Sequence, residues 1–81
     1  MEVEILFFAR LRELAGTKST TLQLGSRATV SEALDAIAST YPDLREYLSR
    51  CRTALNEEFT TLDATIPENG VLAIIPPVSG G

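Results

Sequence analysis

Val71-Leu72-Ala73-Ile74-Ile75 runs directly into Pro76-Pro77-Val78-Ser79-Gly80-Gly81. An unbroken apolar run of this length reads as a strand covered on both faces, as in the middle of a sheet. Two prolines stop it, because proline has no N–H to give a ladder and holds φ near one value. The pair also makes a semi-rigid spacer. Glycines, lacking Cβ, let a backbone enter a channel too narrow for any other residue. The expected organisation is a domain over residues 1–75 that holds out an extended tail over residues 76–81.

Working outward, the start of the chain supplies the strand's natural neighbour. Glu2 to Phe8 alternates, with Val3, Ile5 and Phe7 on one side and Glu2, Glu4, Leu6 and Phe8 on the other. The second side begins charged and ends apolar, so its Phe8 end should be covered. Leu11, Leu14 and Ala15 predict a short helix with Gly16 as its stop. Lys18 to Leu24 predicts a second strand, broken by Gly25-Ser26. Thr29 and Glu32 form a capping-box pattern ahead of Val30, Ala33, Leu34, Ile37 and Tyr41, one apolar stripe at helical spacing. Pro42 ends that helix. Leu44, Tyr47, Leu48 and Cys51 repeat the spacing in a shorter one.

Beyond it, Thr53 to Leu55 and Phe59 to Leu62 read as short strands around a polar turn at Asn56-Glu57-Glu58. In the turn over residues 66–70, Asn69 and Gly70 are the residues that tolerate positive φ. First and last strands joined through a helix suit a crossover in which they lie parallel and adjacent. The predicted fold is α+β, a ubiquitin-like β-grasp roll with a mixed sheet packed on one main helix. Parallel central strands end together, which brings Phe8 to Ile75 at the root of the tail. The open face then carries Leu6, Phe8 and Ile75 as an apolar patch where a partner should dock. Phe8, Phe59 and Ile75 are the candidate interface residues, with core packing the alternative for each.

Composition narrows the function classes. Eighty-one residues make one domain near the lower size limit for an unstapled core. Seven basic against eleven acidic residues, net charge -4, argues against a nucleic-acid partner. No apolar run suits a membrane span and no leader pattern opens the chain, so a cytoplasmic location is expected. There is no histidine, which removes the commonest general base and metal ligand together. The lone Cys51 excludes an internal disulfide and a cysteine metal cluster. Arg50 and Arg52 flank it, but helical spacing puts it on the buried stripe, so a packing role is expected. Glu57 and Glu58 are adjacent acids in a polar turn and read as solvated. No Gly-rich phosphate loop appears. No metal site and no cofactor bound by the chain itself are expected. The tail is left as the reactive element, against the alternative of an idle, frayed terminus.

With these residues in view, the chain resembles the small subunit of molybdopterin synthase, a ubiquitin-like sulfur carrier. The likeness runs through Leu6-Phe7-Phe8-Ala9-Arg10-Leu11-Arg12-Glu13-Leu14-Ala15-Gly16, through Ala54-Leu55-Asn56-Glu57-Glu58, and above all through Pro76-Pro77-Val78-Ser79-Gly80-Gly81. It departs at Glu68-Asn69-Gly70, where that family usually has Asp-Gly-Asp before the last strand. The resemblance implies that a ubiquitin-activating-type adenylyltransferase, using ATP and Mg²⁺, adenylates the Gly81 carboxylate. A sulfur donor protein then displaces AMP and leaves a thiocarboxylate. Pro76, Pro77, Val78, Ser79 and Gly80 would thread into the large subunit of the synthase, within a heterotetramer, to deliver sulfur to cyclic pyranopterin monophosphate. On that view the chain is a sulfur-donor subunit without catalytic groups of its own. Same-fold carriers for thiamine, cysteine or tRNA thiolation, a ubiquitin-like modifier that joins Gly81 to lysine, and a plain binding domain remain the alternatives.

Overall fold

The alternation in Glu2-Val3-Glu4-Ile5-Leu6-Phe7 becomes strand β1 (Glu2–Phe7), with Val3, Ile5 and Phe7 fully buried. The computed structural model describes residues 1–77. Leu72 and Ile74 are buried in the same way on β5 (Val71–Ile75). The two strands pair in parallel, from Glu4 opposite Val71 to Phe7 opposite Ile74. On the outer side of β1, β2 (Ser19–Gln23) pairs antiparallel. Beyond β5, β3 (Arg52–Leu55) and then β4 (Glu58–Phe59) pair antiparallel, giving the order β2-β1-β5-β3-β4.

Parallel neighbours require a crossover, and here it carries the main helix, α2 (Val30–Thr40). Val30, Ala33 and Ile37 of its apolar stripe are fully buried on the β1–β5 side chains. Leu11 from α1 (Arg10–Ala15) closes one end of this core, and Leu44, Leu48 and Ile66 close the rest. Tyr41 meets the Phe7 ring edge-on, centroids 5.5 Å apart, a favoured aromatic arrangement. A mixed sheet wrapped on one main helix is the ubiquitin-like β-grasp fold expected from the sequence. Among the described residues, no helix is long and apolar enough to cross a membrane.

The start of α2 is held twice. The capping box forms: Glu32 N–H donates to Thr29 Oγ1 at 3.2 Å, and Thr29 N–H donates to Glu32 Oε1 at 3.0 Å. Such a cap stabilises a helix by about 1 kcal/mol. Val30 and Ser31 N–H, two more of the groups a helix start leaves unpaired, donate to Ala64 O and Leu62 O at 3.0 and 2.9 Å. That demand corrects one expectation. Instead of a strand from Phe59 to Leu62, β4 stops at Phe59 and the chain turns to bring those carbonyls to α2. The short second helix is also modified. It divides into a 3-10 turn over Pro42–Leu44 and one α-turn, α3 (Arg45–Leu48), and Cys51 lies beyond its end.

Backbone geometry sharpens two turns. Asn56 and Glu57 both take positive φ, 50° and 73°, in the two-residue connection that pairs Leu55 with Glu58. Such hairpin turns favour Asn-Gly, so the second position holds a residue poorly suited to it. At Glu68-Asn69-Gly70, only Asn69 uses positive φ, 60°. Gly70 answers a different need: a Cβ there would lie 2.9 Å from Ile66 Cγ2 and from Pro67 O. Glu57→Gly should therefore raise stability by about 0.5–1 kcal/mol, from relief of left-handed strain less the entropy of glycine. Gly70→Ala should lower it by about 1–3 kcal/mol through overpacking. Urea melts of both variants against the unaltered chain check the two signs.

Candidate functional site

The side of the sheet turned away from α2 is built by the residues that alternate with the core. Leu6 sits opposite Ala73, Ala73 opposite Ala54, and Ala54 opposite Phe59, a row spanning β1, β5, β3 and β4. Alanines in the centre and larger side chains at the margins make a shallow depression of about 560 Å³, lined by Leu6, Phe8, Ala54, Phe59, Ala73 and Ile75. Phe8 is 39% exposed and Phe59 61% exposed, large apolar side chains left on the surface. A contiguous apolar patch of this kind marks an interaction surface.

All of the candidate interface residues, Phe8, Phe59 and Ile75, thus share one face. β1 ends at Phe7 rather than Phe8, and the paired ends of β1 and β5 leave Phe8 beside Ile75. Pro76, half-buried, and Pro77, exposed, follow at once. Val78, Ser79, Gly80 and Gly81 of the expected tail lie outside the described residues.

Two features of this face escaped the sequence reading. Ala54 and Ala73 form its floor, which the alternation of β3 and β5 could have shown. Arg52 pairs with Ile75 and lays its guanidinium over the Phe59 ring, 3.9 Å from the centroid. Stacking of this kind contributes about 0.5–1 kcal/mol at an exposed site and holds both side chains in place. Asn56, at the far end, accepts from Val71 N–H through Oδ1 at 2.9 Å and donates its own N–H to Val71 O at 2.9 Å. It thereby anchors the turn to the start of β5.

Cys51 lies elsewhere, in a second, open groove of about 880 Å³ between α2 and the β3–β4 segment. Its Sγ–H donates to Tyr47 O at 3.1 Å, and burial pushes its thiol pKa up. A nucleophilic cysteine needs the opposite shift. Half-buried, Cys51 packs against the edge of the core. Glu57 and Glu58 are exposed in their turn. Among the described residues, no group of three His, Cys, Asp or Glu side chains could hold a metal ion.

Comparison with known proteins agrees with this layout. The model of the ThiS family matches residues 5–81. The molybdopterin synthase sulfur carrier subunit of Arabidopsis thaliana is 44% identical, over 100% of this chain and 84% of that protein. The crystal structure of small archaeal modifier protein 1 from Haloferax volcanii superposes with a TM-score of 0.92 at 30% identity, covering 100% of both chains. A chain of the complex of subunits 1 and 2 of the molybdopterin-converting factor from Helicobacter pylori superposes with a TM-score of 0.71 at 28% identity, again over 100% of both.

Cys51 should behave as a protected thiol. Iodoacetamide at mildly alkaline pH should alkylate it several-fold more slowly in the folded chain than in urea, as read by mass spectrometry. Equal rates would place the thiol in solvent.

Proposed function

The chain belongs to the ThiS family, and on that premise we propose that it is the sulfur-carrier subunit of a molybdopterin synthase. In this role the Gly81 carboxylate oxygen attacks the α-phosphate of ATP on a ubiquitin-activating-type enzyme, and pyrophosphate leaves. The terminal sulfur of a donor protein's persulfide then attacks the acyl carbon and AMP leaves, and a thiol cleaves the resulting acyl disulfide, so that Gly81 becomes a thiocarboxylate and the donor's sulfur ends in a disulfide with that thiol. The tail enters the large subunit, and the sulfur passes to cyclic pyranopterin monophosphate. Mg²⁺ and ATP belong to the activating enzyme, and the acids and bases of the sulfur-transfer step to the large subunit, with two of each subunit in a heterotetramer.

One observation carries this reading: parallel β1 and β5 end side by side, so Pro76 leaves the sheet at the edge of an unfilled apolar face. The geometry suits a two-part encounter. The face supplies affinity and the tail supplies the reacting atom, which converts sulfur delivery from a collision into an intramolecular step. Six residues from Pro76 span at most about 20 Å when extended, enough to pass from a docked domain into a neighbour's pocket. A free carboxylate is a poor electrophile, and adenylation gives it a good leaving group. Held as a thiocarboxylate, the sulfur never diffuses as sulfide.

The close superposition on an archaeal modifier protein favours a second reading, in which activated Gly81 forms an isopeptide bond with a lysine of another protein. The products separate the two. Incubation with the activating enzyme, ATP and a sulfur source should give an oxygen-to-sulfur mass change confined to Gly81. Conjugates ending in Gly81 on target lysines would instead support the modifier. No mass change with a demonstrably active activating enzyme refutes the carrier reading. One residue added after Gly81 should abolish sulfur loading while leaving the thermal midpoint where it was.

A further inference from the structure

The open face is graded in charge along its length as well as apolar in its middle. At the end where β5 begins, Glu4 sits opposite Val71, and Glu57 lines the same depression. At the end where β5 finishes, Arg52 sits opposite Ile75. A second cation lies at that end: Arg12 Nε reaches Phe7 O at 3.5 Å. Both are exposed, and among the described residues neither Arg12 nor Arg52 has a carboxylate within 4.0 Å. Nearby Arg10 differs, lying 3.9 Å from Glu13.

Four steps along β5 at about 3.3 Å each put the two ends about 13 Å apart. That exceeds the screening length of about 8 Å at physiological salt. A partner lying on this face therefore meets each end separately, and the net charge of -4 does not describe what the tail root presents. Arg52 is also pre-oriented. Stacked on Phe59, its planar fork is held at the rim, in a form suited to pairing with a carboxylate.

We propose that this polarity sets the direction of docking: the occupant of the open face is a partner protein with carboxylates around the mouth of its tail-receiving channel and basic residues at the far edge of the contact. The apolar middle is nearly symmetric, with Leu6 and Phe8 on one flank and Phe59 on the other, and gives little information about direction. Opposed charges at the two ends give it, because a partner docked backwards would set acid against Glu4 and Glu57 and base against Arg12 and Arg52. Like-charge contacts of this kind reject the wrong orientation. Correct direction matters here because Pro76 leaves only at the basic end.

The proposal rests on the sulfur-carrier reading, and its test uses the large subunit of the molybdopterin synthase from the same source, with binding measured calorimetrically at low and high salt. Arg52→Glu and Arg12→Glu should each weaken binding by about tenfold at low salt, and less at high salt. Glu4→Lys should weaken it as well, although it makes the chain less negative. Arg45→Glu, on the helical side, changes net charge as much as Arg52→Glu and should alter affinity by less than about twofold. Arg12→Glu leaves the Phe59 stack in place and so separates charge from lost packing. Circular dichroism checks that each variant is folded. If Arg45→Glu matches Arg52→Glu, net charge alone governs docking and the polarity proposal is wrong. If no reversal matters while the unaltered chain binds, docking is apolar and the proposal again fails, leaving the carrier reading intact. Self-association in sedimentation, abolished by the same reversals, would make the occupant a second copy and overturn it. No binding by the unaltered chain removes both the carrier reading and this proposal.

Discussion

Parallel pairing of β1 with β5, from Glu4 opposite Val71 to Phe7 opposite Ile74, is the constraint from which the rest follows. It joins the start of the chain to the end of the domain and forces the long connection between them to cross over one face. That face receives α2 and becomes the core, with Val3, Ile5, Phe7, Leu72 and Ile74 packed on Val30, Ala33 and Ile37. A one-residue slip of either strand would turn that strand's buried side chains to the other side. The same register puts Phe8, Ile75 and Pro76 together at one end. A single pairing thus serves both the core and the presentation of the tail.

The opposite face is where the molecule leaves stability unrealised. Filling it with polar side chains would suit an isolated domain, yet Phe8 and Phe59 stand exposed around a floor of Ala54 and Ala73. Fully burying such a side chain is worth about 1.5–3 kcal/mol, and the share belonging to the part still exposed is available only on contact with another molecule. Charges graded along the same face add direction to an otherwise unspecific apolar attraction. Affinity, orientation and the emergence of Pro76 therefore share a surface only a few residues wide.

How much of this was legible depends on the range of the interaction involved. Strand β1, the capped helix α2 and the stop at Gly16 were read correctly because their signals are local: alternation, a Thr-x-x-Glu cap and a glycine that takes φ 75°. The shared face of Phe8 and Ile75 was legible one step further on, once the crossover rule made the strands parallel. Phe59 to Leu62 was misread as a strand because Leu62 O is claimed by Ser31 of α2, a partner some thirty residues earlier in the chain. Gly70 was assigned a backbone role when its need is space beside Ile66. Cys51 has the spacing of the helical stripe, but the turn ends before it. Arg52 stood out in the sequence only as a neighbour of Cys51, and its stack on Phe59 depends on β3 and β4 being paired.

By itself the sequence determined the class of fold, the buried faces of the first strand and main helix, and the end of the last strand at two prolines. Each of these follows from residues within one or two turns of one another, where periodicity and backbone preference decide. Only the tertiary structure decided that Arg52 stacks on Phe59 near the tail root, why Gly70 has no room for a side chain, and that the open face runs from acid to base. Those properties belong to residues brought together by strand register and by a helix start that needs carbonyls from a distant loop. Their partners lie far away in the chain, and no local pattern records them.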